Sequence, residues 1–338
     1  MNKLLHRAVL VIVGLVLLAS FSLTDEPKSA VDAVLSQTKH TYNAVHAAHL
    51  WLIRQQADDG SWNYSLPAAD TGPPLAFRIE ATAWVLTSMA CYGRTLTQPG
   101  RFQTPMRKGL EFLLAQQRSS PQGNDFSGSC NSMISHALGT YAVAQIAGTT
   151  EQASLRESVR RAAELIIISQ DSRTGGWTTT SGTAADLATT YRQLAALAAA
   201  ESVLKDPRYG VAIRKCAPLL ASLRSQNRSN HAEEDLVAMA MGLICQMGIT
   251  GKRDDNAWEP AIGLLLQRGP AKEDVMYNYY ATQAVFGWEG EGSGAAFDAW
   301  LQLCGSNFSQ RKSKMAMMQA AGLREKVARW RMIVSIER

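Results

Sequence analysis

Apolar positions along the chain gather into blocks of about 15 residues with helical spacing, and alternating β-branched runs are scarce. Ile134, Leu138 and Tyr141 recur at i, i+4 and i+7, as do Leu187, Tyr191 and Leu194, which Ala198 continues. Further stripes run through Ile213, Cys216, Leu220 and Leu223, and through Leu236, Ala240, Leu243 and Met247. The pattern predicts an all-α protein of about eleven or twelve helices between Val31 and Leu303.

Polar text between the blocks repeats as well. HLWLIRQQADDGSW carries Gln55, Gln56, Gly60 and Trp62; FLLAQQRSSPQGNDF carries Gln116, Gln117, Gly123 and Phe126; LIIISQDSRTGGW carries Gln170, Gly175, Gly176 and Trp177. Fainter copies hold Gln226 and Gln267. Each predicts a helix ending in Gln, a Gly-bearing turn and an aromatic residue that restarts the packing. Glycine supplies the positive φ of a helix end, and glutamine can bond the loose carbonyls there. The distance between copies suits a helical pair, so Gln55, Gln116 and Gln170 are expected at the ends of outer helices, with Trp62 and Trp177 in the turns beside them.

These copies resemble the QW repeat of squalene cyclases and protein prenyltransferases, and the likeness runs from about His40 to Phe308. A closer likeness is to bacterial secreted proteins carrying prenyltransferase and squalene-oxidase repeats. It rests on SHALGTYAVAQIAGTT, on the GGW segment, and on AMGLICQMGITGKRDD followed by DVMYNYYATQAVF. The resemblance implies a single (α/α)5-6 toroid over residues 40–308, with inner helices around a cavity and outer helices encircling them.

Neither family chemistry is complete in this chain. Class II cyclases protonate an alkene with the acid of a D-x-D-D-T-A segment shortly after a GGW turn. Here that text is Thr183-Ala184-Ala185-Asp186-Leu187-Ala188, so Ala185 stands at the proton donor's place and only Asp186 has a counterpart. The zinc-holding Asp-x-Cys pair of prenyltransferases would correspond to Asp186 and Ala188, and alanine binds no metal. No metal site and no cofactor is therefore expected.

Other carboxylates near helix starts are Glu80 in AFRIEATAW, Glu234 in HAEEDLVAM, and Asp274. Glu80, Asp186 and Glu234 are the candidate catalytic acids, each weighed against a first-turn or capping role on its helix. Tyr277, Tyr280 and His136 are candidate ligand-binding residues, each weighed against a packed, hydrogen-bonded place in the core.

Composition and charge narrow the functional classes. The chain has 338 residues, 46% of them apolar and 19% charged, which excludes disordered, collagenous and multi-spanning membrane classes. Of its net charge of +5, residues 1–22 carry +2 and residues 311–338 carry +6, which leaves −3 on the body and argues against nucleic acid as a partner. Lys3, His6 and Arg7 precede an apolar run from Ala8 to Ala19, so residues 1–22 read as a signal peptide or an N-terminal anchor. Export to the periplasm or the extracellular space is expected, with membrane anchoring as the alternative. Residues 23–39 read as a linker, and 309–338 as a basic amphipathic tail or last helix that can touch a membrane surface. Five scattered cysteines fit buried hydrophobes better than a disulfide framework.

The expected role is binding or scaffolding, with an apolar, isoprenoid-like lipid or a peptide at the central cavity. The alternative is a divergent enzyme acting on a terpenoid or polysaccharide through cavity carboxylates.

Overall fold

A computed structural model describes residues 45–63, 75–128, 132–179, 185–219, 233–250, 255–271, 274–289, 295–300 and 302–304. The expected leader, the linker and the basic tail lie outside the described residues, as does the faint copy at Gln226. The described chain is all-α apart from one short hairpin. Its elements are α1 (45–54), α2 (Leu75–Cys91), α3 (Gln103–Gln116), β1 (Arg118–Ser120), β2 (Gly123–Asp125), α4 (Met133–Ala147), α5 (Ala153–Ile168) and α6 (Leu187–Leu204). There follow α7 (Pro207–Arg214), α8 (Glu233–Thr250), α9 (Asp255–Arg268), α10 (Val275–Glu289) and a helical stretch at 295–300.

Two kinds of helix alternate. In α3 the buried residues Met106, Gly109, Leu110 and Leu113 form one stripe, and α5 buries Leu155, Val159, Ala162, Ala163 and Ile166 in the same manner. By contrast α4 buries every residue from Ser135 to Ala147, and α2 and α6 are covered on most sides. Alanine makes this possible, because small side chains let several helices approach one axis while keeping high helix propensity. The covered helices pack in chain order, α2 on α4, α4 on α6, α6 on α8 and α8 on α10. An edge-to-face pair at 5.5 Å, Trp84 with Tyr279, joins α2 to α10.

The Gln-Gly-aromatic turns fix how each hairpin meets the next. Gln56 Nε2 donates to Gly60 O at 2.8 Å and to Pro105 O of α3 at 2.9 Å. Gln170 Nε2 donates to Gly175 O and to Ala212 O of α7, both at 2.8 Å. In the middle turn Gln117 Oε1 accepts from Ser158 Oγ of α5 at 2.9 Å, and the longer connection becomes the β1/β2 hairpin, with Arg118 opposite Asp125. The bonding glutamines are therefore Gln56, Gln117 and Gln170. Gln55 and Gln116 precede two of them and lie at helix ends as the pattern predicts.

The aromatic residues repeat the arrangement. Trp62 Nε1 donates to Leu52 O and Trp177 Nε1 to Ile166 O, each at 2.7 Å, while their backbone amides donate to Thr82 Oγ1 at 2.9 Å and Thr190 Oγ1 at 3.1 Å. The Phe126 amide donates instead to His136 Nδ1 at 3.1 Å.

Gly60 and Gly175 have φ of 88° and 75°, and a Cβ there would meet Lys108 O at 2.3 Å and Lys215 O at 1.9 Å. Gly93 has a similar φ of 76° with nothing within 4 Å, which separates backbone strain from overlap. Gly93→Ala is expected to cost about 1–2 kcal/mol for the left-handed backbone. Gly175→Ala should add ~1–3 kcal/mol of overpacking to a similar strain. Urea denaturation of both variants checks the difference, and equal losses would contradict the close-approach account.

Candidate functional site

Four polar side chains from four of the covered helices occupy the first or second helical turn: Glu80 of α2, Ser135 of α4, Arg192 of α6 and Tyr279 of α10. These helices run side by side in one direction. Glu80 meets Ser135 near the starts of α2 and α4, and Gln193 Nε2 of α6 donates to Met133 O at the start of α4 at 2.7 Å. Their amide ends therefore share one end of the bundle and make the potential there positive.

Ser135 Oγ donates to Glu80 Oε1 at 2.8 Å. Burial raises the pKa of Glu80, while the bond from Ser135 and the charge of Arg192 act in the opposite direction. Arg192 Nη1 donates to Ala188 O at 3.1 Å, one turn back on its own helix. The same guanidinium acts on Tyr279, whose phenol is pushed up by burial and by Tyr280. Glu80, Arg192 and Tyr279 are half-buried, and the stripe of Ala188, Arg192, Ala195 and Ala198 along α6 is half-buried with them.

An aromatic floor joins this site. Tyr280 meets both Tyr191 and Tyr279 edge to face with centroids 5.0 Å apart. Tyr191 OH donates to Gln283 Oε1 at 3.1 Å. The Gln283 amide nitrogen is buried without a hydrogen-bond partner. Chemically, Arg192 and the Tyr279 hydroxyl supply donors, and the Glu80 carboxylate supplies an acceptor.

Among the sequence candidates, Glu80 belongs to the site. Asp186 is engaged elsewhere, as the N-cap of α6: its Oδ1 accepts from Thr189 N at 2.7 Å and its Oδ2 from Thr179 Oγ1 at 2.9 Å. His136 is fully buried, with Nδ1 accepting from Phe126 N and Nε2 3.2 Å from Ala162 O, so it serves the turn as Thr82 and Thr190 do elsewhere. Tyr280 is fully buried in the floor. Tyr277 is 2% exposed and lies against Trp300. The half-buried tyrosine of that segment is Tyr279. Glu234 lies in the first turn of α8, and its side chain is outside the described residues.

Sequence reading missed Ser135 and Arg192 as site residues. The signal available was a charged residue inside the alanine-rich LATTYRQLAALAAA, where a solvated surface offers no explanation.

Among the described residues, no three His, Cys, Asp or Glu side chains are placed to hold a metal ion, and no helix is long and apolar enough to cross a membrane. No family model, curated protein or solved structure matches the chain.

Two expectations follow from the bonded candidates. Replacing Asp186 by Leu should cost ~0.5–2 kcal/mol of stability, while Asp186→Asn, which still caps, should cost little; thermal melts compare them. The His136 pKa is lowered to about 4, chiefly by burial, with Asp125 pulling weakly the other way. The unfolded chain therefore takes up this proton below about pH 6.5, before the folded protein does. Stability from this residue is complete above that pH and is lost as pH falls toward 4, by roughly 3 kcal/mol at the low end. Denaturation midpoints from pH 7 to 4 should show the decline, and His136→Gln, which can accept and donate in the same places, should flatten it.

Proposed function

We propose that the chain is an exported protein whose helical hairpins form one α/α toroid, and that it binds a ligand at the Glu80, Ser135, Arg192 and Tyr279 end of its central helices. The toroid reading is supported by the alternation of one-faced and all-round-covered helices, by the chain-order packing from α2 to α10, and by the Trp84–Tyr279 contact that joins the first and last of them. Export is inferred from the charged and apolar leader in the sequence.

The observation that carries the binding role is the half-buried Glu80, bonded to Ser135 and acted on by the Arg192 charge, which also acts on Tyr279 of the adjoining aromatic cluster. An apolar ligand with a polar head, such as an isoprenoid alcohol or its ester, meets both demands: rings for the body, and a charged pair with two hydroxyls for the head. The Glu80 carboxylate accepts from Ser135 and lies within the influence of the Arg192 charge, an arrangement suited to orienting a polar group. A second reading, a divergent enzyme acting on a terpenoid or polysaccharide, draws on the raised pKa of Glu80, which favours a general acid.

Native mass spectrometry of protein purified from its own envelope tests the proposal. A bound lipid mass is expected in the wild type, and Arg192→Met with Glu80→Gln should reduce its occupancy several-fold at unchanged melting temperature. Absence of any adduct, together with no binding of added farnesol, would end the binding reading; conversion of an added ligand that Glu80→Gln abolishes would install the enzyme reading.

A further inference from the structure

A cluster of one arginine and two histidines sits beyond the other end of α2. Glu80 and Cys91 are eleven residues apart on that helix, about 16 Å at helical rise, and Arg94 lies past Cys91. The Arg94 guanidinium stacks over Phe102 at 4.5 Å and over Tyr92 at 5.1 Å, and its Nη2 lies 2.9 Å from His46 Nδ1. His49 packs edge to face on the same two rings, at 5.2 Å from Tyr92 and 6.2 Å from Phe102. Three elements thus bring two histidines and an arginine around one aromatic pair.

The cluster has three unmet demands. Arg94 is half-buried, and among the described residues no carboxylate forms an ion pair with it. Aromatic faces attract a cation but do not neutralise it. Its Nε–H is buried without a hydrogen-bond partner. His49 is 3% exposed and its Nδ1 is likewise buried without a partner. Its Nε2 lies 3.2 Å from Ser88 Oγ, which donates to Val85 O at 3.0 Å, so Nε2–H is the donor and Nδ1 carries the lone pair.

We infer that Arg94, His46 and His49 form a second ligand site, for an oxyanion of the phosphate or carboxylate class, taken up together with a proton on His49 Nδ1. An oxyanion satisfies all three demands at once. It pairs with the guanidinium, accepts from Arg94 Nε–H, and accepts from His49 once Nδ1 is protonated. The groups that act on His49 are His46 of its own helix, Ser88 of α2 and Arg94 of the turn after it; Tyr92 and Phe102 supply rings. Burial first, and then Arg94 and His46, lower its pKa to about 4, and a bound anion acts in the opposite direction. The helix α3 begins at this place without a side-chain cap, which adds favourable potential for an anion.

Calorimetric titration of the full chain with sodium phosphate, and separately with sodium acetate at matched ionic strength, tests the site. Saturable binding of either anion is expected, tighter at pH 6 than at pH 8, with proton uptake visible as a heat that depends on the buffer. Arg94→Gln should weaken it by about tenfold or more, Arg94→Lys less, and His49→Gln should abolish the proton uptake. Phosphate saturation assigns the phosphate class, and acetate saturation the carboxylate class. Should Arg94→Gln fail to fold, the His49 imidazole resonance of the wild type is followed through the phosphate titration, where a rise in its pKa is expected. No saturation with either anion, binding unchanged in folded Arg94→Gln, or an unmoved His49 resonance would each overturn the inference.

Discussion

A glutamine amide nitrogen that donates to two carbonyls at once is the contact on which the arrangement of hairpins depends. At Gln56 and Gln170 one bond closes the turn after a helix and the other reaches the next one-faced helix, so turn shape and helix spacing are set together. The glycine of each turn lies against the backbone of that same neighbour, where any side chain would intrude. The tryptophan then covers the joint with its indole N–H bonded to a carbonyl of the preceding helix segment. Each bond alone contributes about 1 kcal/mol; their joint geometry is what orients the covered helices and brings their first turns to one end.

That shared end explains why the polar groups can coexist with so apolar a bundle. A carboxylate, a guanidinium and two hydroxyls in half-buried positions would be costly if scattered. Held in first and second turns, they stay near the open amide ends of parallel helices and near one another. Ser135 and Arg192 offset part of the burial of Glu80. The two ends of α2 thus differ in character: one gathers charges of both signs, the other an arginine, two histidines and rings.

Much of this was legible in the sequence where the signal was local. Gly60, Gly175, Trp62 and Trp177 announce their turns because a positive φ and a covering aromatic have few substitutes, and Asp186 announces a cap by its place before an apolar stripe. What sequence could not supply was phase. In α4 every residue from Ser135 to Ala147 is buried, so no polar face marks which side meets which neighbour. The same loss of phase hid the half-buried Tyr279 between Tyr277 and Tyr280. Glu80 and Ser135 are 55 residues apart, and their bond depends on how two hairpins dock. For His136, residue type left a ligand role and a hydrogen-bonded core place both open, and only the packed turn shows that it fills the position of a threonine in the other turns.

Chain-order packing has a consequence for how the molecule comes apart. Where each hairpin leans on the next, opening one unit weakens its neighbours in turn, and an open stack unravels from its ends, the least supported units. The Trp84–Tyr279 contact gives the first and last covered helices a common boundary. A substitution that loosens Trp84 is therefore felt at Tyr279, at the far end of that packing order, and the reverse.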